Sequence, residues 1–150
     1  MRNAAAALRA NWVTLEHDFT APVDRVFAYL SEHENLADLF GARVERLEDG
    51  QPERNGVGSR RRLDIGPGTR PFEETVTKFV PGELIEYRIT KGSPLRDHVG
   101  IMRFSPTPAG GTHLDYRIRI ASRIPGLSPM VTAVLTRNMT KGLAGVEAHA

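Results

Sequence analysis

Five side chains stand out as able to do chemistry: His17, Arg61, Tyr87, His98 and Tyr116, each at an alternating position of a separate short segment. A histidine beside a guanidinium or a phenol can take a proton alpha to a carbonyl while the neighbouring donor steadies the enolate. Cyclisation, dehydration or isomerisation of a carbonyl-bearing substrate needs no more than that, with His98, Arg61 and Tyr116 as the catalytic candidates. The same groups also serve as hydrogen-bonding anchors in a carrier, and residue type does not separate the two roles. Each has a plainer use as well. The tyrosines can be core rings with one hydrogen bond, the histidines satisfied buried rings, and Arg61 can send its head to solvent past an apolar stem.

Other chemistries lack their residues. The chain has no cysteine, which excludes disulfides, thiolate metal sites and thiol nucleophiles. Gly56-Val57-Gly58-Ser59 lacks the Gly-Lys-Ser/Thr ending of a phosphate loop and precedes a strand, so it reads as a turn. There is no Gly-x-Ser-x-Gly elbow. The histidines form no compact ligand set, and His113 with Asp115 falls on an outward face, so neither a metal nor another cofactor is expected.

The elements that must position the five are read from periodicity. Trp12 to Thr20 alternates, with Val13, Leu15, His17 and Phe19 on one face. Val23, Val26, Phe27 and Leu30 then form a helical stripe behind Pro22, and a second short helix runs from Leu36 to Phe40, ended by Gly41. Strands are expected at Arg43–Leu47, Val57–Ile65, Phe72–Val80, Leu84–Thr90, His98–Ser105 and Thr112–Ser122. Their separators, such as Gly66-Pro67-Gly68 and Pro81-Gly82, are too short for a parallel crossover, so the strands should form an antiparallel meander. A long helix closes the chain, with Ser128 as its expected N-cap and Val131, Leu135, Met139, Leu143 and Val146 along one face. Gly142 and Gly145 weaken that helix unless each permits a close approach.

Composition sets the class. The 150 residues are 40% hydrophobic and 25% charged, one domain's worth of an ordinary globular chain. We expect an N-terminal extension over 1–11 and one domain over 12–150. The Ala-rich start is too short and too weakly apolar for a secretory signal, which makes the cytoplasm the expected location. No apolar run reaches the length of a membrane span. Lys plus Arg exceeds Asp plus Glu by 20 to 18, and only Arg60-Arg61-Arg62 is concentrated; a strand would split it between two faces, so nucleic-acid binding is not expected.

The order strand, two short helices, six strands and one long helix, with Phe19-Thr20-Ala21-Pro22-Val23-Asp24-Arg25-Val26-Phe27, Leu30-Ser31, Asn35-Leu36 and Glu74-x-Val76 before Pro81-Gly82, resembles the START-like superfamily. Within it the chain is most similar to the polyketide cyclase/dehydrase and lipid-transport group. Phe40 stands where that group usually has a Trp. The resemblance implies an α+β helix-grip fold: a curved seven-stranded antiparallel sheet around the final helix, with a cavity between them for a small, mostly apolar ligand. It transfers no catalytic residues, because the branches share none.

On that fold the inward faces are set by alternation. They carry His17 in the first strand, Ser59, Arg61, Leu63 and Ile65 in the third, Ile85, Tyr87 and Ile89 in the fifth, His98, Met102 and Phe104 in the sixth, and Tyr116 in the seventh. With Leu135 and Met139 from the helix, these supply the expected ligand-binding set: His17, Arg61, Leu63, Tyr87, His98, Met102, Phe104, Tyr116, Leu135 and Met139. A buried Arg61 requires a partner, and Glu73 or Glu74 is placed to be it, although the phase of that strand is not fixed by its mixed faces. The expected function is binding of a small hydrophobic or aromatic molecule. A His-based cyclase, dehydratase or isomerase acting on a polyketide-like or aromatic substrate is the alternative, and a protein-interaction module such as a chaperone partner the third reading.

Overall fold

Alternating segments become strands here, and the turn residues between them reverse the chain at each step. The computed structural model describes residues 9–67 and 69–150. β1 (Arg9–Phe19) leads to α1 (Val23–Ser31), a 3₁₀ turn (His33–Asn35) and α2 (Leu36–Phe40). There follow β2 (Arg43–Glu48), β3 (Arg60–Asp64), β4 (Phe72–Val80), β5 (Leu84–Lys91), β6 (Arg96–Pro106), β7 (Thr112–Ser122) and α3 (Leu127–His149). The seven strands form one antiparallel sheet in the order β1-β7-β6-β5-β4-β3-β2, the expected helix-grip architecture. β1 closes the meander by pairing with β7, which sets Val13 opposite Ile118 and Leu15 opposite Tyr116. α3 crosses the inner face against β1, β7 and α2.

The apolar stripe of α1 is buried through Val26, Phe27 and Leu30. Phe27 meets Phe79 and Phe104 edge-on, with centroids 5.3 and 5.0 Å away, and these rings close the core under the α1 side of the sheet. The charged sets of the strands lie outside, as expected. Arg60 Nη1 is 2.6 Å from Glu73 Oε1, and Arg62 Nη1 is 3.1 Å from Glu45 Oε1.

Three local expectations change, and the open phase of β4 is settled. β1 begins at Arg9 rather than Trp12, because Ala10 and Asn11 continue the ladder opposite Ala121 and Ile120. β3 is shorter than Val57–Ile65, because Gly58 at φ +89° breaks the extended run. β4 carries a bulge between Val76 and Lys78, so Glu74 and Val76 face inward but Phe79, not Lys78, is the next inward residue. Ser128 is not the N-cap of α3; Gly126 is, at φ +77°. The Ser128 hydroxyl turns back to the sheet, where it donates to the Ile120 carbonyl and lies 2.7 Å from both that oxygen and Asn11 Oδ1. That contact pins the first turn of α3 to β7 and β1.

The two helix glycines differ. A Cβ on Gly142 would sit 2.7 Å from Leu39 Cα and 2.8 Å from Leu39 O, so this glycine lets α3 close on α2. Gly145 has nothing within 4 Å of such an atom.

Candidate functional site

Strand register brings four of the five chemical side chains into one diagonal cluster on the inner face. Arg61 is opposite Glu74 across β3 and β4, Val76 opposite Tyr87, Tyr87 opposite Gly100, and Met102 opposite Tyr116. Arg61 donates from Nε to Glu74 Oε1 at 2.9 Å. Its Cζ lies 4.6 Å over the Tyr87 ring, a cation–π contact that offsets part of the burial cost. Tyr87 and Tyr116 are hydrogen-bonded hydroxyl to hydroxyl. Gly100 makes room for them, since a Cβ there would overlap the Tyr87 ring.

Glu74, one of two partners expected for Arg61, is the one that takes it. Glu73 faces the other way and pairs with Arg60. One donor is left over. Arg61 Nη2 is 2.8 Å from Glu74 Oε1 but out of hydrogen-bonding alignment, and it is buried without an acceptor. An unmatched buried donor of this kind costs about 1–3 kcal/mol, more where the group is charged.

His98 completes the cluster. The Ile89 N–H donates to its Nδ1 at 3.0 Å, so the ring proton is on Nε2, which lies 3.8 Å from Glu74 Oε2. Burial and the nearby Arg61 charge hold this histidine below its usual pKa against the pull of Glu74, and it is neutral at neutral pH. Burial also pushes both phenols above the ordinary tyrosine range, so they remain donors.

The other expected residues are placed differently. His17 is half-buried, its ring tilted against Phe19 with centroids 4.4 Å apart near the end of β1, and apart from the cluster. Phe104 belongs to the α1 ring contacts. Leu63, Met102 and Met139 are buried at 3%, 1% and 0% exposure, and Leu135 is half-buried. Those values correct the expectation of a ready-made hollow. Tyr87, Met102, Tyr116 and Met139 retain almost no accessible surface, so no ligand-sized space touches them. The fill is aromatic, with Phe40 lying edge-on to Tyr87 at 6.5 Å.

Burial along α3 falls toward its start: Val131 and Leu135 are half-buried against the edge of the core, whereas Met139, Leu143 and Val146 are buried. An open groove of about 720 Å³ runs between α2 and the β3–β4 connection, lined by Asp38, Gly41, Asp64 and Ile65 among others. A second recess of about 450 Å³ lies on the outer face, around Trp12, Arg103 and Arg117.

One buried group carried no signal in the sequence. His33, fully buried, donates from Nε2 to Ser59 Oγ at 3.1 Å, while Ser59 donates to the Gly56 carbonyl at 2.7 Å. His33 Nδ1 has no partner. Burial first, then the charges of Arg61 and Arg46, lower its pKa to about 3. Nearby, Arg46 gathers Glu32, Glu34, Asp49 and Asn55 around its guanidinium.

A family model described as polyketide cyclase / dehydrase and lipid transport matches residues 12–150. The chain belongs to that family. No curated protein matches the sequence. Among solved structures, the fold of this family member is similar to ZhuI aromatase/cyclase from Streptomyces sp. R1128, at 23% identity over 93% of each chain with a TM-score of 0.71. It is also similar to truncated norcoclaurine synthase from Thalictrum flavum, at 14% identity over 100% of this chain and 99% of that one, TM-score 0.72. A third similar structure, DR_A0006 from Deinococcus radiodurans, aligns at 21% identity over 92% and 95% with a TM-score of 0.66. Family membership supports a ligand-binding or cyclase role. Among the described residues no helix is long and apolar enough to cross a membrane.

Proposed function

We propose that this protein binds a small hydrophobic or aromatic molecule carrying a hydrogen-bond acceptor, seated beneath Val131 and Leu135 with Arg61 Nη2 as its polar anchor. The observation that carries this reading is the buried, acceptor-less donor on Arg61 beside phenols and a neutral histidine, in otherwise apolar surroundings. The neighbours support the ligand class. The Thalictrum flavum synthase is described in complex with dopamine and hydroxybenzaldehyde, and the Streptomyces protein as an aromatase/cyclase. The filled interior requires the ligand to displace side chains at the half-buried stretch of α3 around Val131 and Leu135.

Binding is favoured over acid–base catalysis by the state of His98. One ring nitrogen accepts the Ile89 N–H and the other carries the proton, so neither offers a lone pair to a substrate. An interaction module built on the outer face of the sheet would need a contiguous apolar patch there, and in that recess Trp12 and Ile101 stand among Thr14, Arg103, Asp115 and Arg117.

The test is titration with 1-anilinonaphthalene-8-sulfonate, alongside native mass spectrometry of freshly purified protein. We expect saturable binding at one site. Replacing the ion pair together, as Arg61→Met with Glu74→Leu, should keep the fold and weaken the probe about ten- to a hundredfold. Unsaturable binding, or affinity unchanged in the double variant, would reject the site.

A further inference from the structure

The two ends of the sheet differ in charge, although the chain carries a net +2. The β3–β4, β5–β6 and β7–α3 connections share one end with the start of β1, since Arg9 pairs with Ser122 and Arg96 with Ala121. This end presents Arg70, Lys91, Arg96 and Arg123, all exposed and, among the described residues, without an ion-pair partner. Its acidic groups are fewer: Asp64 Oδ1 accepts the Gly66 N–H at 3.0 Å, Asp97 faces Arg119 at 3.8 Å, and Asp38 on α2 is exposed. From Leu127 to Val146, α3 adds Arg137 and Lys141 and no acidic residue. The opposite end holds Glu34, Glu48 and Asp49, which are ion-paired with Arg46, Arg54 and Arg60, together with Glu53 and Glu83.

Exposed aliphatic surface gathers at the basic end. Ile65, Ile124, Met130 and Val134 are 53%, 52%, 56% and 52% exposed. Met130 and Val134 are one turn apart on α3, and a turn further on Asn138 lies against Gly41. Gly41 and Ile65 line the same groove, so the helix side and the loop flank a common opening. Single exposed aliphatics are ordinary; four at one end of the sheet, where four exposed cations also lack ion-pair partners among the described residues, are not.

We propose that this end docks on an anionic lipid surface, with the four aliphatic side chains entering the headgroup boundary and the cations meeting anionic headgroups. A bilayer fits better than an acidic protein because the aliphatics project from separate elements with no aromatic anchor among them. Mobile headgroups tolerate such spacing, whereas protein interfaces concentrate binding in packed aromatic or arginine centres. The assignment concerns a surface and stands whether or not the interior holds a ligand.

Sedimentation with vesicles tests it. The protein should pellet with equal parts phosphatidylglycerol and phosphatidylcholine, and remain in solution with phosphatidylcholine alone. Arg123→Gln and Arg137→Gln should each weaken vesicle affinity about fivefold. Ile124→Ser with Val134→Ser should weaken it about tenfold or more at unchanged circular dichroism. Failure to pellet with the anionic vesicles overturns the proposal, as does pelleting indifferent to the serine variants. Retention on immobilised polyglutamate without vesicle binding would give the face to an acidic protein and overturn the lipid assignment.

Discussion

Arg61 and Glu74 form an ion pair between neighbouring strands with side chains only 2% and 5% exposed. Each charge is tolerable there because of the other. Glu74→Gln leaves a buried guanidinium without its counter-charge and should destabilise the protein by about 3–5 kcal/mol. At about 2–4 °C per kcal/mol for a chain of this size, the melting temperature should fall by roughly 10 °C. The Arg61→Met, Glu74→Leu double variant should recover most of that loss in urea denaturation. A single variant as stable as the parent would mean that water already reaches the pair.

His98 should be the Nε2–H tautomer at neutral pH, because Nδ1 accepts from Ile89. Nitrogen-detected NMR on labelled imidazole reads this directly. Burial and Arg61 place its protonation below 6.5, so its signals should titrate at lower pH than those of an exposed histidine. Observing the Nδ1–H tautomer instead would restore His98 as a general base and revive the enzyme reading.

His33 makes stability depend on pH with a definite sign. Above about 6.5 it is neutral folded and unfolded, and its contribution is complete. Between 6.5 and about 3 the unfolded chain takes up a proton that the folded chain refuses, so stability falls as pH falls. The slope from this one group reaches about 1.4 kcal/mol per pH unit. His33→Gln should flatten the profile by that amount from pH 6.5 down to 4.5, where Glu34, held low by its hydrogen bond from Arg46, has yet to contribute. His113, raised by its bond to Asp18, acts in the opposite sense in both proteins and cancels from the comparison. Parallel urea curves for parent and variant across this window would contradict the buried neutral ring.

The helix glycines give a paired test. Gly145→Ala meets open space and should stabilise by up to about 1 kcal/mol. Gly142→Ala gains the same helix propensity but drives a methyl into the Leu39 backbone, so it should destabilise by about 1–3 kcal/mol. Thermal melts of the two variants should move in opposite directions.

The meander was legible because alternation and turn residues are local signals, and they place Arg61, Tyr87, His98 and Tyr116 on the correct face. β4 was not, since its bulge changes phase in mid-strand and both Glu73 and Glu74 are buried, one against Arg60 outside and one against Arg61 inside. Ser128 looks like a cap in sequence, and only the nearness of the Ile120 carbonyl redirects its hydroxyl. The filled interior was illegible for a general reason. An apolar residue that packs solidly and one that lines a hollow have the same letter, and the difference lies in how Phe40, Tyr87 and Met139 meet. His33 shows the same limit, because its burial depends on Ser59 arriving from a distant loop.

The Ser128 contact has a consequence for traffic into the molecule. α3 is tethered at its first turn by Ser128 and again where Met139 and Gly142 seat on the body of the protein, leaving a stretch of about 16 Å between the moorings at 1.5 Å per residue. A beam fastened at both ends does not hinge. Under the proposed binding role a guest would have to slip in sideways beneath it, and so narrow an entry would select flat or slender molecules before any side chain inspects their chemistry.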